Sequence, residues 1–242
     1  MRKILFLIIL STIFLSFKSS DGVEIKWNFA KYQKITYSYQ QNMVMQIDSF
    51  VQDHSGIEGE GTIDLLIIDS ALAEVRIKIV NGKKYELDSI GNKINEVLEF
   101  IPQVLVITGI EEDDISKIKN KPDTEMLVKS LFPVLKQTIT KGEKENYPLN
   151  FRFNYMGKML DTSGDSFLDL VEIEKDICHL ELEYDLKSIQ NEKPDYSIKG
   201  KSKVKFDSEN QYFTEGVLQM SMRVGEEFLV DNTINYKLIS VE

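Results

Sequence analysis

The chain has 242 residues, with 29 Lys plus Arg against 39 Asp plus Glu, a formal net charge of −10, and 42% hydrophobic and 28% charged residues. This is the balance of a folded globular protein, and 13 glycines and 5 prolines exclude a collagen-like or Pro/Gly-rich disordered chain. The acid excess argues against a nucleic-acid partner, the single cysteine excludes an internal disulfide or Cys-cluster zinc site, and two histidines leave little for a His-rich metal centre.

Residues 1–22 read as a signal peptide. Arg2 and Lys3 form a basic start, Ile4 to Phe17 an apolar run, and Ser20-Asp21-Gly22 a small-x-small site with cleavage before Val23. The run is short of the roughly 20 residues that span a bilayer. Its removal takes away three bases and one acid and leaves a net charge of −12. The expectation is an exported protein of the periplasm or cell surface, with no transmembrane span after processing. A lone thiol suits such an envelope protein better than a disulfide-stapled extracellular module.

From Val23 onward the dominant signal is period two, which marks half-buried strands. Val23 to Phe29, Ile35 to Tyr39, Val75 to Ile79, Cys178 to Tyr184, Val204 to Phe206, and Ile234 to Leu238 each alternate apolar with polar residues. Val217, Met220, Met222 and Val224 follow with a phase slip near Leu218, a bulge signal. Asn81-Gly82 predicts a hairpin turn, and Ser163-Gly164-Asp165 and Ser208-Glu209-Asn210 predict weaker turns. The middle departs from this pattern. Asn95 to Phe100 suggests a short helix before a strand or loop at Val104–Ile107, and Pro122-Asp123-Thr124-Glu125 ahead of Met126, Leu127, Leu131 and Phe132 predicts a helix of about three turns.

The expected fold is therefore mainly β, a β-rich α+β chain. It forms an antiparallel twisted sheet or half-barrel with one or two helices in the middle. One β-rich domain, 23–242, holds two β halves (23–90 and 147–242) joined by a helical segment (91–146). A faint repeat supports two halves: shifted by 103 residues, Gly61, Leu65, Ile67, Val75, Ile77 and Ile79 meet Gly164, Leu168, Leu170, Cys178, Leu180 and Leu182.

Residues 161–172 place Asp161, Ser163, Asp165, Phe167, Asp169 and Glu172 at the spacing of a calcium loop. Ser166 stands where the sharp turn wants glycine, and the continuation is strand-like, so the expectation is a turn with an acidic strand face and no metal. Cys178-His179 has the composition of a nucleophile–base pair, but neighbours on a strand point to opposite faces. Asp53, His54 and Ser55 lack any nucleophile motif around them. Glu172, Glu174, Glu181, Glu183 and Asp185 read as a solvated face rather than paired catalytic acids. No catalytic residue and no cofactor is expected.

Methionines come in close pairs, Met43/Met45, Met156/Met159 and Met220/Met222. Flexible thioethers suit adaptable apolar surfaces, so Met43, Met45, Met220 and Met222 are the candidate lining of an apolar ligand site. The expected function is a non-enzymatic binding or interaction module of the cell envelope, whose partner is an envelope protein or an apolar small molecule. The alternatives are an envelope assembly or structural factor and a carboxylate-based hydrolase.

The layout resembles a group of exported bacterial proteins, common in Bacteroidetes-type genomes, that carry a β-rich domain. The likeness lies in the leader, in Lys31, Tyr32, Lys34, Tyr37 and Tyr39 of the first strand, in Leu131-Phe132-Pro133-Val134-Leu135 ahead of Lys141-Gly142, and in Phe206-Asp207 leading to Tyr212-Phe213. Lys136 stands where that pattern has a second proline. The resemblance implies export and β-rich form, and carries over no site residue.

Overall fold

The computed structural model describes residues 22–47, 53–71, 74–88, 90, 92–96, 104–107, 128–149, 152–155, 158–189, 195–226 and 228–242. Residues 1–21 of the expected signal peptide, most of the helix expected from Pro122, and Met156 lie outside them. Fourteen strands run in chain order: β1 (Gly22–Ile25), β2 (Lys34–Ile47), β3 (Asp53–Asp69), β4 (Glu74–Leu87), β5 (Lys93–Glu96), β6 (Val104–Ile107), β7 (Leu135–Thr140), β8 (Lys144–Asn146), β9 (Arg152–Tyr155), β10 (Lys158–Glu174), β11 (Ile177–Ser188), β12 (Tyr196–Asp207), β13 (Tyr212–Val224) and β14 (Phe228–Val241). All ladders are antiparallel.

Twelve of the strands form one open sheet in the order β5-β4-β3-β2-β14-β13-β12-β11-β10-β8, with β6 against β4 and β9 against β10. The ladder between β2 and β14 fuses the two β halves into this sheet. β1 and β7 make a separate two-stranded sheet. The mainly β antiparallel fold is as the alternation indicates, with one helical turn at 128–131 among the described residues. The helical reading of the middle needs correction in part: Asn95 and Glu96 lie in β5, with 97–100 outside the described residues, and β7 and β8 are strands within the segment read as helical, whereas Val104–Ile107 is a strand, one of its two expected forms.

Two expected turns are strand interiors. β4 runs through Asn81-Gly82, where Glu60 pairs with Lys83 and Thr62 with Val80. Two residues therefore oppose Gly61 alone, so Asn81-Gly82 forms a bulge in a continuous strand. β10 likewise runs through Ser163-Gly164-Asp165, paired with Lys187, Leu186 and Asp185. A Cβ on Gly164 would lie 2.1 Å from the Asp185 carbonyl oxygen, so the glycine answers a close backbone approach. The phase slip of β13 also moves: Lys205 pairs with Glu215 and Phe206 with Phe213, which puts the bulge at Thr214. From Gly216 on the alternation is regular, with Leu218 buried and Val217 exposed on the other face.

One face of the sheet is apolar, and part of it is covered. Ile25 of β1, Trp27 and Phe29 just after it, the segment Val128, Leu131, Phe132 and Val134, and Leu135 and Ile139 of β7 pack in one core with Ile35, Tyr37, Tyr236, Phe213, Phe206 and Leu180 of the large sheet. Phe132 sits at the centre, its ring 4.9 Å from that of Tyr236, 5.5 Å from Trp27, 5.6 Å from Tyr37 and 5.7 Å from Phe213. Such pairs add about 0.5–1.5 kcal/mol each beyond their area. Buried hydroxyls need partners: Tyr236 donates to the Leu131 carbonyl (2.7 Å), Tyr37 to the Phe213 carbonyl (2.8 Å), and Ser130 to the Tyr184 hydroxyl (3.4 Å). Tyrosines of the sheet thus pin the 128–135 segment as a strap.

Candidate functional site

Directly paired residues of an antiparallel ladder share a face, so the register sorts the side chains into rows. On the apolar face one row reads Tyr184, Gly200, Met220, Asn232, Met43 from β11 to β2, and the next reads Leu186, Ile198, Met222, Val230, Met45. All four candidate methionines therefore lie on one face, in two adjacent rows across three neighbouring strands. The strap reaches Tyr184 at the β11 side of the first row. Met220 and Met222 pack against the edge of the core, and all four methionines are half-buried. Asn232 stands between Met220 and Met43 with only 7% exposure, and its side-chain oxygen accepts from Gln41 Nε2 at 3.0 Å.

The opposite face is polar and also concave. A groove of about 930 Å³ is lined from β3, β2, β14, β13, β12, β11 and β10 by triplets such as 203–205 and 179–181. The middle residue of each triplet points into the core, so the floor is backbone and the walls are outer-face side chains. A second groove, of about 730 Å³, continues it toward Asp165 and Asp231. Lysines 199, 201, 203 and 205 of β12 form a ladder along these grooves. Lys201 bridges Glu181 and Glu183 (both 2.8 Å), Lys203 meets Glu181 (2.9 Å), Lys199 meets Asp185 (2.9 Å), and Lys205 meets Glu215 (2.7 Å). Hydrogen bonds from Lys201, with Lys203 adding at Glu181, hold the Glu181 and Glu183 carboxyls below the usual range, and Lys205 does the same for Glu215. These acids are ionised and neutralised in pairs, whereas a general acid needs its pKa raised toward working pH.

The register also places the other candidates. Cys178 is fully buried, and burial pushes its thiol pKa up, away from the nucleophilic thiolate. His179 points to the other face, 3.7 Å from Glu174. Asp161 to Glu172 lie along β10 as extended strand, and no group of three or more metal-ligating His, Cys, Asp or Glu occurs among the described residues. Asp53, His54 and Ser55 begin β3, opposite Ile47, Gln46 and Met45; the positions of their side chains, and of Met159, lie outside the described residues. Asn232 and Gln41 went unremarked in the sequence. The signal was there: each occupies the inward phase of an otherwise apolar strand.

No protein-family model matches the chain, and no curated protein does. Among solved structures, the chain is similar to one titled "Lipid-protein interactions in lipovitellin", with a TM-score of 0.52 and 8% identity over 86% of this chain and 25% of that chain. The likeness is one of fold, and this chain spans about a quarter of that protein's length. Among the described residues no helix is long and apolar enough to cross a membrane.

Proposed function

We propose that the protein is an exported, non-enzymatic binding module of the bacterial cell envelope, and that it holds an apolar small molecule on the methionine end of its apolar sheet face. The observation that carries the reading is the convergence of Met43, Met45, Met220 and Met222 into two adjacent half-buried rows beside the strap. Unbranched thioethers adapt to varied apolar shapes at small cost. The similar lipovitellin structure is titled for its lipid–protein interactions, which agrees with an apolar ligand on such a sheet. Export rests on the pattern of residues 1–22, and the non-enzymatic reading is supported by the lysines that hold Glu181, Glu183 and Glu215 ionised.

Native mass spectrometry of the protein purified from its own envelope tests this reading. The expected species begins at Val23 and retains one lipid-sized adduct, which a Met45→Asp/Met222→Asp variant loses. A bare chain would overturn the apolar-ligand reading, and a co-purifying protein partner would favour the assembly factor instead. An N-terminus at Met1 would overturn the processed-export part.

A further inference from the structure

Resting on that reading, we propose that the Asn232 amide is the polar anchor of the site and that its ligand class is a neutral acyl chain bearing an ester or amide carbonyl. Asn232 is more than nine-tenths buried, within a row of methionines. Its oxygen is taken by Gln41, and its Nδ2, which has no partner among the described residues, is not among the fully buried unpaired atoms and so keeps a narrow opening to solvent. A donor at the end of a nearly buried side chain, reachable only from this face, is open to a carbonyl acceptor. A carbonyl oxygen lying over the Met43–Asn232–Met220 row would accept from Nδ2, while the chain attached to it runs over Met45 and Met222.

Charge decides between acyl classes. On β13, β14 and β2 the inward residues from 218 to 222, 230 to 234 and 41 to 45 are all uncharged. The charged side chains of the strands near these rows, such as Asp231 and Lys201, belong to the outer face, and the buried cation of the strap, Lys129, lies over the Tyr147 ring at the β10 end of the row, with β11 and β12 between it and Met220. A free carboxylate would enter the methionine end with no counter-charge from the strands there, at a heavy desolvation cost. A neutral ester or amide meets the uncharged face and satisfies the Asn232 donor.

The experiment displaces the neutral dye N-phenylnaphthylamine from the full chain with methyl decanoate, decanoate or decane at neutral pH. Methyl decanoate should displace the dye at a concentration roughly five- to tenfold lower than decane, the range of one hydrogen bond, and decanoate should trail the ester. Asn232→Leu should abolish the ester's advantage and keep decane binding. Asn232→Met, which extends the methionine row and carries no N–H donor, should do the same should the leucine variant fail to fold. Equal displacement by ester and decane, a preference for decanoate, or an ester advantage that survives both substitutions would overturn the proposal. Failure of the underlying reading looks different: the dye does not bind, or Met45→Asp leaves displacement by decane and ester alike untouched.

Discussion

The apolar face of the large sheet has two ends built from the same alternation but finished differently. Under the strap, rigid aromatics fill the space, and each tyrosine hydroxyl named above has a fixed partner. Phe132 touches four other rings, and Tyr236 reaches the Leu131 carbonyl. At the other end, methionines with three flexible torsions stand half-buried around an amide with a donor to spare. The covered end is specified by shape, and the open end is tolerant of shape. The difference teaches that burial of one face of a strand can be divided along its length between a part packed to one shape and a part left adaptable.

That contrast can be broken by measuring what each end contributes. Phe132→Ala should cost about 3–5 kcal/mol in urea denaturation, through lost transfer energy and an unfilled cavity, whereas Met45→Ala should cost less than about 1 kcal/mol. Similar losses at the two sites would show that the methionine end is ordinary core. The covered end has a second, sharper test at Gly216, where an added Cβ would lie 2.5 Å from the Tyr236 ring. Gly216→Ala should cost about 1–3 kcal/mol by overpacking. Combined with Tyr236→Leu it should cost less than the two single losses added together, because the clash disappears with the ring.

The smallest expected effect is the covered end's share of the alkaline pH dependence. Burial raises the pKa of Tyr37 and Tyr236 well above the ordinary value, and that of Tyr184 to about 12. The folded protein therefore keeps protons that the unfolded chain releases near 10. The stabilisation is complete below that pH and is lost as pH rises toward the folded values. Denaturation midpoints should fall through this alkaline window, and less steeply in Tyr184→Phe. A variant as alkali-sensitive as the wild type would show that burial does not hold Tyr184 neutral.

The faces of individual strands were legible without a structure. Alternation put Cys178, Leu180 and Leu182 inward and His179, Glu181 and Glu183 outward, and β11 has that arrangement. It also gave each methionine pair a shared face, since residues two apart on a strand always share one. Tertiary structure decided which strands are neighbours. Met43 and Met45 meet Met220 and Met222 only because β14 lies between β2 and β13, a pairing of chain segments nearly two hundred residues apart in sequence, as in the Gln41–Asn232 bond. It also decided what the glycines at 82 and 164 do: the same residues that close a hairpin can serve a bulge or a close approach inside a strand. The physical reason is that side-chain direction follows from local backbone geometry, which repeats every two residues. Ladder partners, in contrast, are chosen through backbone hydrogen bonds that are chemically identical along every strand, so only the packing of the whole sheet distinguishes one pairing from another.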